Sequence, residues 1–89
     1  MLTISYLNRF RRDMKRMQKR GADVTLLKEL LEYLVHKVTP PVKFRCHRLA
    51  GNWKDRYECH LAPDWLIIYR VTDTELILER TGTHSDLFG

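Results

Sequence analysis

The Pro40-Pro41 pair divides the chain into two stretches whose apolar residues repeat with different periods, and this limits the architecture more than any other feature. Ahead of it the period is helical. Tyr6, Leu7, Phe10, Met14 and Met17 recur at three- and four-residue steps, with Arg9, Arg12, Lys15, Arg16, Lys19 and Arg20 on the other faces. This predicts an amphipathic helix that stops near Gly21. Asp23 is placed to N-cap a second helix, whose Leu26, Leu27, Leu30, Leu31, Leu34, Val35 and Val38 form a wide core stripe. The prolines end that helix, because they lack an amide donor and clash with the preceding turn. Beyond them the content becomes β-branched and aromatic with period 2, predicting strands over 56–61, 65–71 and 75–81. The connections Ala62-Pro63-Asp64 and Thr72-Asp73-Thr74 are short enough to force antiparallel neighbours. Leu2 to Ser5 alternates and supplies a first strand. The expected fold is α+β: two N-terminal helices packed on a small, mainly antiparallel sheet, in the order β-α-α-β-β-β.

Eighty-nine residues, 44% hydrophobic and 30% charged, suit one domain spanning 1–89 with a modest core. No apolar run approaches the roughly 20 residues of a membrane-spanning helix, and no secretory leader is visible, so a cytoplasmic protein is expected. Cys46 and Cys59 lack C-x-x-C spacing and are read as free, buried thiols. The net charge of +5 is concentrated: residues 1–20 carry seven basic side chains against Asp13 alone, while 21–89 hold nine basic and ten acidic ones. A basic stripe on one helix is the footprint of a polyanion or of an acidic protein partner, and equally of a solvated helix face.

If both three-residue turns close symmetrically, His60 pairs with Leu66 and Leu66 with Arg80. His60 and Arg80 then share a sheet face two strand spacings apart, roughly 10 Å at the backbone. Asp64 lies in the turn at the same end, and His84 follows Arg80 past the turn at Gly82. A one-residue bulge would put His60 and Arg80 on opposite faces.

Such a cluster contains what metal-free cleavage of RNA requires. Imidazoles suit removal of a proton from a 2′-hydroxyl and delivery of one to the leaving 5′-oxygen, and a guanidinium suits the charge that builds on the phosphorus oxygens. Metal ligation by His47, His60, Asp64 and His84 is the competing use, but no H-x-x-x-H or comparable spacing supports it. Taken singly, a strand histidine serves packing or surface hydrogen bonding more often than catalysis, and Trp65 at the start of an apolar strand reads as core.

The stretch from His47 through Trp53, His60, Pro63-Asp64-Trp65 and Tyr69, followed by Leu78-Glu79-Arg80-Thr81-Gly82-Thr83-His84 and Leu87-Phe88, resembles the YafQ branch of the RelE/ParE superfamily. H-x-L-x-G-x-W, H-x-x-P-D-W and E-R-T-G-T-H-x-x-L-F occur in the family's order and spacing. The resemblance implies a ribosome-dependent mRNA endoribonuclease, the toxin of a bacterial type II toxin–antitoxin pair, using no metal or other cofactor. It also implies neutralisation by a cognate antitoxin, typically of ribbon-helix-helix type.

Carried over position by position, His47, His60, Asp64 and His84 match the family's acid–base residues and Arg80 its phosphate-contacting arginine. Trp65 and Phe88 match aromatics that hold substrate or shape the site. Arg12 and Arg16 on the basic first helix are expected to meet ribosomal RNA or an acidic antitoxin segment in turn. A non-catalytic basic RNA- or protein-binding module of the same fold is the alternative. Gyrase-directed toxicity, as in the ParE branch, has no evident use for the histidines.

Overall fold

The computed structural model describes all 89 residues. The first strand, β1 (Thr3–Tyr6), leads into α1 (Asn8–Lys19) and α2 (Val24–Val35). The second half carries β2 (His47–Arg48), β3 (Tyr57–Ala62), β4 (Trp65–Val71), β5 (Glu75–Gly82) and a short α3 (His84–Phe88). The sheet order is β1-β5-β4-β3-β2, with β1 parallel to β5 and every other pair antiparallel.

Both long helices end by closing their own last carbonyls. After α1, Gly21 adopts φ 87°, and the amides of Gly21 and Ala22 donate to the carbonyls of Gln18 and Met17. Asp23 caps α2 as expected, accepting the Thr25 amide at 3.0 Å. The end of α2 differs from expectation. Lys37 takes the left-handed conformation, and the amides of Lys37 and Val38 bond back to Leu34 and Tyr33, so the helix stops at Val35, five residues before Pro40. Val38, expected in the apolar stripe, is therefore exposed.

One sheet face packs on α1 and α2, burying Phe10, Met17, Leu27, Leu30 and Leu34 against Cys59, Leu61, Trp65, Ile67, Tyr69, Leu76 and Leu78. The other face holds a smaller cluster in which Leu66 and Ile68 meet Leu87 of α3, with Leu49 and Trp53 at its margin. Covering both faces explains why Trp65 to Tyr69 is buried without interruption. Burial holds the Tyr69 hydroxyl in its protonated form, raising its pKa to about 12 with a further push from Tyr57.

The cysteines correct the sequence reading: Cys46 and Cys59 form a disulfide. His47 pairs with Glu58 across β2 and β3, so the next residues outward, 46 and 59, are cross-strand neighbours close enough to bond. Their 13-residue separation gave no hint of this, because β2 is two residues long and shows no periodicity of its own.

Register also differs in detail. His60 pairs with Leu66 as expected, but Leu66 faces Gly82, and Arg80 faces Ile68 two residues further along β4. Two one-residue offsets produce this. The β4–β5 turn sets Val71 opposite Leu76 rather than Glu75, and a bulge between Ile68 and Tyr69 adds a second offset at Glu79. Each offset alone would flip the face, and together they restore it. His60 and Arg80 thus share the expected face by parity, two residues out of row. Glu79, the extra residue, is buried and held by Arg56 and Arg70 at 2.9 and 3.0 Å.

Candidate active site

The polar groups gather on the face that carries α3, at the end of the sheet marked by the β3–β4 turn. His84 is the first residue of α3. Thr83 caps that helix by accepting the Asp86 amide at 3.1 Å, while the Asp86 carboxylate accepts the Thr83 amide at 3.0 Å. Gly82 gives the chain room to turn: a Cβ there would lie 2.9 Å from Cβ of Asp86. Arg20, the C-cap of α1, holds Asp86 at 2.7 Å, which ties α3 to the end of the first helix. That hydrogen bond and the Thr83 amide keep the Asp86 carboxyl well below the usual carboxylate range.

Asp64 accepts both the backbone amide of His84, at 3.0 Å, and its ring Nδ1, at 2.7 Å. The amide, then the ring, lowers the Asp64 pKa and keeps it ionised. One carboxylate oxygen therefore fixes both the start of α3 and the tautomer of its imidazole, leaving Nε2 of His84 free of protein partners.

His60 lies between the other two rings, its centroid 5.9 Å from that of His84 and 6.1 Å from that of His47. His47 is held by the Arg45 carbonyl on Nδ1 at 3.1 Å and by Glu58 near Nε2 at 3.3 Å. Glu58 also approaches Nε2 of His60 at 3.9 Å, while Nδ1 of His60 is buried without a partner. Glu58 was not anticipated. Its position two residues before His60 puts both on one face of β3, and only the short β2 brings His47 opposite it.

Arg80 is closer to α1 than the sequence suggested. Its Nε and one terminal nitrogen donate to Asp13 at 2.6 and 3.3 Å, and the Thr81 amide donates to the same carboxylate at 3.2 Å. Strand β1 pairs only as far as Tyr6 opposite Leu78, so Thr81 has no strand neighbour on that side and α1 supplies the acceptor. Asp13 is thus a buried charge in a helix whose sequence is dominated by basic residues. Arg16 lies 3.5 Å from Asp13 and 3.5 Å from Asp86, so its charge is shared internally, whereas Arg12 is exposed without an ion-pair partner.

The aromatics divide. Trp65 is core: its indole N–H donates to Thr81 Oγ1 at 2.8 Å, and its ring packs in the cluster under the helices. Phe88 is 46% exposed and meets Trp53 edge to face at 6.0 Å, leaving a surface on which a base can rest. Trp53 was legible only as part of a motif.

Two helices on one face of a five-stranded sheet, with the polar groups at one end of the opposite face, form the layout of RelE-like toxin domains. Residues 2–89 match the family described as bacterial toxin of type II toxin–antitoxin system, YafQ, and the chain belongs to that family. It is 42% identical to the mRNA interferase toxin YafQ of Escherichia coli K12 over 87 residues, covering 97% of this chain and 95% of the relative. The E. coli DinJ–YafQ complex contains a chain of the same fold, with TM-score 0.91, 40% identity and full coverage of both chains. A metal-bound toxin from Helicobacter pylori superposes with TM-score 0.93 at 39% identity, covering 99% of this chain and all of the other. In the present protein no group of three or more His, Cys, Asp or Glu is placed to hold a metal ion.

Proposed function

We propose that the protein is an mRNA endoribonuclease, the toxin of a type II toxin–antitoxin pair, which cleaves mRNA on the ribosome in the bacterial cytoplasm. The observation that carries this reading is the His84–Asp64 contact: an exposed imidazole whose Nδ1 is held at 2.7 Å by an ionised carboxylate. Asp64 orients the ring by holding Nδ1, so Nε2 is presented to exchange a proton with an RNA oxygen. His60, one ring away, or His47, steadied by Glu58, supplies the second proton-transfer group.

In the proposed reaction one imidazole takes the proton of the 2′-hydroxyl, and the new oxyanion attacks the adjacent phosphorus. The bond to the 5′-oxygen breaks as the second imidazole protonates that oxygen. The products are a 2′,3′-cyclic phosphate and a 5′-hydroxyl. Arg80 retains donors beyond those engaged by Asp13, and these face charge building on the phosphorus oxygens. Phe88 and Trp53 receive an unstacked base. Exposed cations of α1, Arg12 among them, contact ribosomal RNA or an acidic segment of a ribbon-helix-helix antitoxin. The relatives' names, mRNA interferase and partner of DinJ, support the same reading.

The test is growth after induction of Asp64→Asn and His84→Gln at matched protein levels. Both variants should relieve growth arrest while remaining folded by circular dichroism. Undiminished arrest in both would remove the dyad from the reaction.

A further inference from the structure

On the other side of His60, a short 3₁₀ turn (Val42–Phe44) and the β3–β4 turn enclose a cavity of about 260 Å³. Phe44, Leu61 and Pro63 form its apolar walls, Lys43 and Arg45 its basic rim, and His60 the wall shared with the imidazole row. A second cavity of about 320 Å³ adjoins it through Leu26 and Ala62 and reaches Asp64 and Arg20. The two share those lining residues, and this groove is bordered by His60 at one end and by Asp64 of the dyad at the other.

Arg45 stands apart from most arginines near the site. Arg16, Arg20, Arg56, Arg70 and Arg80 are each paired with a carboxylate, whereas the exposed Arg45 guanidinium has no hydrogen bond or ion pair. Its backbone is nevertheless fixed. Arg45 takes the left-handed conformation at φ 44°, an uncommon state for a residue with a side chain, and its carbonyl accepts Nδ1 of His47. One residue therefore sets an imidazole and offers an unneutralised, bidentate cation to the groove beside it. The unpaired, buried Nδ1 of His60 lies in the residue that walls the same groove.

We propose that this groove is a subsite for the nucleotide adjoining the scissile phosphate, with Arg45 binding that nucleotide's own phosphate and the apolar walls receiving its base. The proposal rests on the reading of the imidazole row as an RNA-cleaving site. RNA is favoured over an acidic peptide because His60 lines the first cavity and Asp64 the second, and a continuous strand cleaved beside them must pass on either side of the broken bond. Arg45 is then a substrate-positioning residue: it contacts RNA without taking part in proton transfer.

The experiment is single-turnover cleavage of a defined mRNA on programmed ribosomes, comparing wild type, Arg45→Ala and Arg45→Lys at several salt concentrations. Arg45→Ala should raise the half-saturating concentration roughly tenfold, the scale of one charged hydrogen-bonded contact, and leave the rate at saturation within about threefold. It should also reduce the slope of log affinity against log salt by about 1. Arg45→Lys should recover part of the affinity, and the melting temperature of both variants should match wild type. Wild-type cleavage with Arg45→Ala indistinguishable from it overturns the subsite alone. Absence of cleavage by wild type overturns the underlying reading together with the subsite. Normal cleavage by Arg45→Ala with lost copurification of the co-expressed antitoxin overturns the proposal in favour of a protein occupant.

Discussion

Removing the Asp13 carboxylate should destabilise the whole domain, although a helix rich in Arg and Lys suggests a tolerant surface. Asp13 is 3% exposed and receives three donors: two from Arg80, whose side chain is 14% exposed, and the Thr81 amide. Breaking a buried ion pair by deleting one member costs about 3–5 kcal/mol, since the remaining charge loses its partner inside the protein. A buried amide left without an acceptor adds about 1–3 kcal/mol. Water entering beside the partly exposed Arg80 and the nearby Arg16 offsets some of this, giving a net loss of roughly 3–5 kcal/mol for Asp13→Ala. Against a typical total of about 5–15 kcal/mol, that is a large share of the stability. At about 4–8 °C per kcal/mol for a domain of this size, the melting temperature should fall by at least some 12 °C. Thermal and urea unfolding of Asp13→Ala, Arg80→Ala and the double variant measure both the loss and the coupling. A loss below about 1 kcal/mol, or additive single effects within about 0.5 kcal/mol, would show that Asp13 and Arg80 are not a coupled buried pair.

Four further outcomes are expected. Gly82→Ala should displace α3, because its Cβ would lie 2.9 Å from Cβ of Asp86; tryptophan fluorescence of Trp53 beside Phe88 should report the shift, and an unchanged spectrum would count against it. Thr83→Ala should lose about 1 kcal/mol through the missing cap, seen as faster amide exchange within residues 84–88. The Asp64 and Asp86 carboxyls are both held below their ordinary range, so the anchorage of α3 is fully present above the unfolded carboxyl pKa of about 4. It is lost as acid takes the pH down through their lower folded values, and amide exchange of α3 followed from neutral to strongly acidic solution should show this, with Arg20→Gln removing the largest single contribution at Asp86. Reduction of Cys46–Cys59 should cost about 3 kcal/mol, the scale for a loop of this length; equal urea midpoints with and without reductant would contradict it.

The two helices and three long strands were legible because each repeats its period several times: Phe10 and Met17, or Leu27, Leu30 and Leu34, fall on one helix face and are buried there. Elements shorter than one period were not. Strand β2 has two residues, and without it neither the disulfide nor the Glu58–His47 contact can be inferred. The α3 helix did leave a signal in Thr83-His84-Ser85-Asp86, a capping pattern that opens a helix. The bulge at Glu79 was masked by the continuous apolar run Leu76-Ile77-Leu78, which carries no alternation from which to read a slip. The site's membership owed more to motif resemblance than to periodicity, and the structure places His47, His60 and His84 with Asp64 in a single row. Arg80 was assigned to the site without its partner, since no local pattern marks Asp13 as the buried residue of a basic helix.

In the proposed function His84 and Asp64 carry out proton transfer in cleavage of ribosome-bound mRNA. His84→Ala isolates the imidazole, because Ala retains the backbone amide that donates to Asp64 at 3.0 Å and so leaves the start of α3 anchored. The direct measurement is mapping of mRNA ends on translating ribosomes shortly after induction. Wild type should generate new ends within translated reading frames, and His84→Ala, at equal protein level and with an unchanged melting temperature, should generate none above background. The same new ends at comparable frequency in both samples would contradict the account.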